Sequence, residues 1–192
     1  MKIAFCFPGQ GSIEAGMGYD IAQAVPEAME VFERGSNASG LDLERLCFHG
    51  AQEELVDTAI QQPALVATSL AVLAAIRARG IEPDYVVGHS VGEFAALAAA
   101  NAMSVEEALA LVRERGIAMA EAAAQHPGSM AAILGLEDAE VESVCAQASQ
   151  GEVVQAVNFN SPAQVVIAGH AAAVTRAIAL AKTLAKAQAV DE

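Results

Sequence analysis

A serine held between two glycines, where a strand turns into a helix, constrains this chain more than any other feature. Asp84 to Val87 reads as a short strand, Gly88-His89-Ser90-Val91-Gly92 as a tight turn, and the alanine-rich stretch to Ala100 as a helix. A strand that passes directly into a helix belongs to an α/β layer, and the residue at the apex of so sharp a bend takes a strained backbone that neighbouring glycines make room for. The Ser90 hydroxyl then projects from the sheet edge. There the helix N-terminus offers N–H groups and the positive end of its dipole to a developing oxyanion, the Val91 N–H being the natural donor. The five-residue pattern alone arises by chance in glycine-containing chains. Its strand-turn-helix setting is what favours a catalytic nucleophile.

The rest of the chain supports an α/β reading. Lys2 to Phe7 predicts a buried strand, and Pro8 to Gly18 a glycine-rich loop. Helical patterns follow around Ile21 to Arg34, at Glu53 to Ala59, and strongly from Gln62 to Arg79, with Pro63 expected in the first turn and Gly80 as the stop. Ser104 and Glu107 form a capping box that opens a helix to about Gln125. Past His126-Pro127-Gly128 the pattern changes. Strands at Ser129–Leu134, Val153–Asn158 and Gln164–Ile167 alternate with helices at Asp138–Ala148 and Ala171 to about Ala189. The order β-α-β-β-α is a ferredoxin-like unit short of its closing strand. The expectation is therefore an incomplete core over residues 1–125 and an incomplete ferredoxin-like subdomain over 126–192, from a chain truncated at its C-terminus.

Composition narrows the function classes. The 192 residues carry a net charge of −14, with ten lysines and arginines in no cluster. A chain of this kind lacks the basic face that phosphate contacts need, so nucleic acid is not its partner. Hydrophobic residues make up 54% against 18% charged, which excludes intrinsic disorder. Three widely spaced cysteines, Cys6, Cys47 and Cys145, argue against a disulfide framework or a zinc site, so no metal is expected. The apolar tracts, such as Ala95 to Ala100, read as too short for a membrane span, and the N-terminal run meets Pro8 too soon for a signal sequence. A cytoplasmic location is the expectation.

Phe7-Pro8-Gly9-Gln10-Gly11-Ser12 follows the first strand, completes no nucleotide-binding pattern, and reads as a backbone loop pressed against a ligand. Together with Gln61-Gln62-Pro63-Ala64-Leu65, Gly88 to Glu93, Arg115-Gly116, Val157 to Pro162 and Gln164 to Gly169, it resembles the malonyl-CoA:acyl-carrier-protein transacylase family, in order and across nearly the whole chain. The resemblance implies an α/β-hydrolase-like core with a ferredoxin-like subdomain. It implies Ser90 as the nucleophile that carries a malonyl ester, and backbone N–H groups of Gln10 and Val91 as the oxyanion hole. It also implies Arg115 as the clasp for the malonyl carboxylate, with Asn160, and less surely Asn158, lining the site. The implied partners are malonyl-CoA and acyl carrier protein. No cofactor is implied beyond the coenzyme A thioester substrate, and the intact family implies a monomer.

Periodicity does not choose between Arg113 and Arg115. The apolar stripe of their helix runs through Val105, Ala108, Leu109, Val112, Gly116 and Met119, and the two arginines fall on its opposite margins. Chemically the role suits arginine, whose planar fork holds a carboxylate in two hydrogen bonds. His89 adjoins Ser90, but an immediate neighbour on such a bend projects away from it. His49, His126 and His170 fall in turns or helix starts. The resemblance puts the histidine base beyond residue 192. Rival readings are an acyltransferase domain of a polyketide synthase or malonate decarboxylase, a plain serine hydrolase, and a non-catalytic fragment that binds coenzyme A or acyl carrier protein. A start at Met1, so near the first motif, favours a free-standing protein.

Overall fold

Two short strands, β1 (Ala4–Phe7) and β2 (Tyr85–Gly88), run parallel with Ala4 opposite Tyr85 and Phe7 opposite Gly88. Parallel strands cannot be joined by a hairpin, and the long helical connection between them supplies the crossover. Their shared direction brings the loop after Phe7 and the turn after Gly88 to the same end of the sheet, where α/β folds build their sites. The computed structural model describes residues 2–188 and falls into two units, Met1–Ala122 and Ala123–Glu192.

In the first unit the helical region expected at 21–34 is two helices, α1 (Tyr19–Ala24) and α2 (Pro26–Ser39). Val25 is extended and Pro26 opens the second helix, because a residue before proline disfavours the helical region. A π-helical turn (Arg45–His49) follows. A 3-10 turn (Glu54–Val56) then stands where a helix to Ala59 was expected.

Helix α3 (Thr58–Arg77) starts four residues before the expected Gln62, since the Asp57 carboxylate caps it by accepting from the Ala59 amide at 2.8 Å. Pro63 therefore lies inside the helix and not in its first turn. Contrary to the sequence expectation, this helix is long and apolar enough to cross a membrane, although 61% of its apolar stretch is buried inside the protein. It buries Leu65, Val66, Leu70 and Leu73 on different faces, along with the polar Gln61 and Gln62, as a core helix does.

Helices α4 (Gly92–Ala99) and α5 (Val105–Gln125) complete this unit, α5 running past the division at residue 122. Ser104 caps α5 as its sequence suggests: its amide donates to Glu107 at 2.7 Å, and the Glu107 amide donates to its hydroxyl at 3.1 Å. The core is built from small residues, among them Ala28, Ala64, Ala67, Ala71, Ala95 and Ala108, around a few large ones. Phe32 is fully buried and meets Phe48 edge-on at 4.7 Å, a contribution of about 1.5–3 kcal/mol from burial alone.

The second unit contains β3 (Ser129–Leu134), α6 (Asp138–Ser149), β4 (Val154–Ser161), β5 (Gln164–Gly169) and α7 (Ala171–Gln188). The strands form an antiparallel sheet in the order β3-β5-β4, which is the ferredoxin-like order without its closing strand. Ile133, Val165 and Ile167 face Val141, Val144, Val174 and Ala177 in one core. Glu137 and Glu140 cap α6 reciprocally, a box the sequence reading did not anticipate. The expected end of the last helix at Ala189 and the chain end at Val190-Asp191-Glu192 lie outside the described residues.

Candidate active site

Ser90 adopts φ 51°, the left-handed region that non-glycine residues rarely enter. Such a conformation costs on the order of 1–3 kcal/mol and persists where the surroundings enforce it. Here they are backbone. A Cβ on Gly88 would overlap the backbone of Gly92 and Glu93, and one on Gly92 would overlap the carbonyl oxygens of Phe7 and Pro8. Both glycines are required by close approach, which packs the turn against the start of the Pro8 loop. The His89 amide donates to the Phe7 carbonyl at 3.0 Å and continues the strand pairing one residue past Gly88. The bend is thereby fixed to both strands, and Ser90 is left exposed at its apex.

Val91 is the N-cap of α4, so its amide belongs to the set at a helix start that has no intrahelical partner. Gln10 sits in the facing loop, where its side chain donates to Thr58 Oγ1 at 3.4 Å and accepts from Gln62 Nε2 at 3.3 Å. These bonds tie the loop to the first turns of α3.

Arg115 reaches in from α5. Its Nη2 donates to Ser90 Oγ at 3.2 Å, and its Nη1 donates to Gln62 Oε1. The two arginines that periodicity could not separate are separated by geometry, since Arg113 Nη1 donates to the Ala59 carbonyl. Lys2, Arg34, Arg45, Arg77 and Arg176 each pair with a carboxylate. Among the described residues Arg115 pairs with neutral groups and with no carboxylate. A guanidinium on neutral acceptors, in a chain of net charge −14, keeps its charge available to an incoming anion.

Gln62 is the residue that sequence reasoning missed. It is fully buried, accepts from Arg115, and donates to Gln10 Oε1 and to Met119 Sδ, both at 3.3 Å. It joins serine, arginine and loop in one network. Two adjacent glutamines in an otherwise apolar helix were the available signal, because a buried amide is retained where it has partners.

The histidines of this unit do different work. The His89 ring packs over Gly9, where a Cβ would strike its Nδ1, and His49 lies exposed beside Tyr19 with ring centres 5.8 Å apart. In the second unit His126 is exposed, and His170 Nδ1 accepts from the Val153 amide at 3.4 Å. Asn158 and Asn160 lie on β4, where the pairing with β5 slips between Ala156 and Asn158 and again between Phe159 and Ser161. Slips of this kind re-aim side chains. Clefts of 540 Å³ beside α6 and β4, of 520 Å³ at the end of α2 and of 480 Å³ between β1 and α3 are lined by neither Ser90 nor Arg115. The convergent chemistry of the molecule is at the exposed bend.

The chain is similar to known proteins along nearly its whole length. The acyl transferase domain family matches residues 4–191. The chain is 45% identical over 183 residues to a malonyl CoA-acyl carrier protein transacylase of Haemophilus influenzae, covering 94% of this chain and 59% of that protein. It superposes on the malonyl CoA-acyl carrier protein transacylase of Coxiella burnetii with a TM-score of 0.91 at 45% identity, over 95% of this chain and 58% of that one. A malonyl-transacylase in complex with a type II polyketide synthase acyl-carrier protein gives a TM-score of 0.91 at 40% identity, over 96% and 60% of the two chains. The chain thus spans less than two thirds of the length of the relatives it matches.

Proposed function

The chain belongs to the acyl transferase domain family, and on that premise we propose that it serves in moving a malonyl group from malonyl-CoA to the pantetheine thiol of acyl carrier protein, in fatty acid biosynthesis. The observation that carries this reading is the pairing of a strained serine, φ 51°, with an arginine 3.2 Å from its hydroxyl that has no carboxylate partner among the described residues.

A base takes the proton of Ser90 as its oxygen attacks the thioester carbon; the resemblance assigns this to a histidine beyond residue 192. Charge collects on the carbonyl oxygen, where the Gln10 and Val91 amides serve as donors, one such donor being worth about 3–4 kcal/mol. The carbon–sulfur bond breaks, coenzyme A leaves with a proton, and the malonyl ester remains on Ser90. The thiol of acyl carrier protein then attacks that ester and releases the serine. Arg115 holds the distal carboxylate throughout. Because the guanidinium lies so near the hydroxyl, it suits an acid whose second carboxylate is one methylene from the reacting carbonyl. An acetyl group would leave the fork unpaired.

In this reading residues 1–125 are the N-terminal part of an α/β-hydrolase-like acyltransferase core, and residues 126–192 an incomplete ferredoxin-like subdomain. The resemblance assigns Asn160, and less surely Asn158, to substrate binding. The chemistry runs on side chains and the thioester alone, without metal or redox cofactor, in a soluble cytoplasmic protein.

The test is intact mass after incubation with malonyl-CoA. A stoichiometric malonyl adduct that Ser90→Ala abolishes supports the proposal. A malonyl adduct undiminished in Arg115→Ala would point to a generic serine hydrolase, and binding without any adduct to a non-catalytic fragment.

A further inference from the structure

Arg113 and Pro63 are explained by each other. Proline has no N–H, so Pro63 has nothing to donate to the carbonyl four residues back in α3, and its ring crowds that carbonyl. The carbonyl is that of Ala59, and Arg113 Nη1 donates to it from α5. One turn along α5, Gly116 removes the side chain that would keep the helices apart: a Cβ there would stand 2.8 Å from both Ala59 Cα and the Thr58 carbonyl oxygen. Met119, three residues further, receives Gln62 Nε2 at 3.3 Å. Arg113, Gly116 and Met119 share one face of α5 at helical spacing, and Ala59 and Gln62 share one face of α3. The two faces meet where Arg115 crosses to Gln62 and Ser90.

We propose that Arg113 is a positioning residue for Arg115: it supplies the hydrogen bond that Pro63 withholds from Ala59, clamps α5 to the first turns of α3, and so sets where the Arg115 guanidinium stands over Ser90. The inference rests on the acyl-transfer reading above, since its consequence is selectivity for an acyl group with a distal carboxylate. It concerns how the clasp is held and not which residue is the clasp.

The proposal makes Pro63→Ala a rescue of stability and not of selectivity. Alanine restores the backbone N–H on the Ala59 carbonyl but not the link from α5, so the double variant should regain the stability lost in Arg113→Met and not its selectivity. The experiment measures malonyl against acetyl ester on Ser90, by intact mass after competition between the two coenzyme A thioesters. Urea unfolding of the four chains (parent, each single variant and the double) is followed in parallel. Arg113→Met should lower the malonyl-to-acetyl ratio about tenfold, the effect of losing one charge-assisted hydrogen bond. Arg113→Lys, which keeps a single donor, should lower it less. Pro63→Ala alone should leave the ratio as it is, and the double variant should keep the lowered ratio of Arg113→Met while its unfolding midpoint recovers, so that the two substitutions are non-additive in stability.

A merely stabilising arginine would lower both esters together and leave the ratio unmoved, which overturns the proposal. So does a double variant whose ratio returns to that of the parent, since a bond within α3 restores no link to α5. If the parent forms no ester even when extended to carry the histidine that the resemblance assigns as the base, the acyl-transfer reading fails, and the selectivity claim falls with it. If esters form but the unfolding effects of positions 63 and 113 are additive, this inference alone fails.

Discussion

Replacing Gln62 by leucine tests whether the buried amide serves the site or the fold. Gln62 is fully buried, yet its partners are not: Gln10 is exposed and Arg115 half-buried. When the amide is lost both partners can turn to water, and leucine fills the space without a polar group to satisfy. The stability change should therefore stay within about 1 kcal/mol, well below the penalty for orphaning a buried partner. Selectivity should suffer far more. The bond from Arg115 Nη1 to Gln62 Oε1 joins a charged donor to a buried acceptor, a class worth about 1.5–3 kcal/mol, and 1.4 kcal/mol is a factor of ten. Malonyl over acetyl preference should fall about 10- to 100-fold while the urea midpoint barely moves. Gln62→Glu sharpens the test. A carboxylate at this position would occupy the guanidinium from within, so malonyl ester formation should drop further than in Gln62→Leu, with acetyl ester spared. Competition between the two thioesters, read by intact mass beside urea unfolding, gives both numbers. Unchanged selectivity in Gln62→Leu, or malonyl accepted normally by Gln62→Glu, would refute the reasoning that Arg115 is held by Gln62 for a carboxylate.

Three further outcomes follow from particular contacts. Ser90→Gly should abolish acylation yet raise the unfolding free energy by up to about 1 kcal/mol, because relief of the φ 51° strain outweighs the added chain entropy of glycine; a lowered urea midpoint would contradict the strain argument. Glu106, bonded to the Arg34 fork at 2.6 and 2.9 Å, has its carboxyl pushed down to about 2 by that hydrogen bonding, so its share of stability is present above the ordinary value of 4.5 and lost as pH falls toward 2. Arg34→Met should therefore differ from the parent by less than about 1 kcal/mol near neutrality, as befits a surface pair, and the difference should close between those pH values in acid unfolding curves. Burial pushes the Cys47 thiol up to about 12, while Cys6 is exposed, so alkylation of the native chain at mildly alkaline pH should label Cys6 and spare Cys47 until denaturant is added, as peptide mapping would show.

Local signals in the chain were enough for most of the element types and for the strained bend at Ser90. Gly88 and Gly92 flank Ser90 at one-residue spacing, and no side chain larger than hydrogen fits where their backbones meet. Ser104 and Glu107 bond each other across three residues, so their cap is readable from spacing alone. These are contacts between near neighbours, and sequence reports them directly. The tertiary structure decided what depends on residues far apart. Arg113 and Arg115 sit on the margins of one stripe, and choosing between them requires knowing that α5 crosses α3 at Gly116, far along the chain from Ala59. The same crossing gives Gln62 its partners and explains why a proline inside α3 is tolerated. A one-dimensional pattern shows which face a residue occupies, but not which carbonyl, amide or hydroxyl another helix brings to meet it, and the arrangement of this site depends on those meetings.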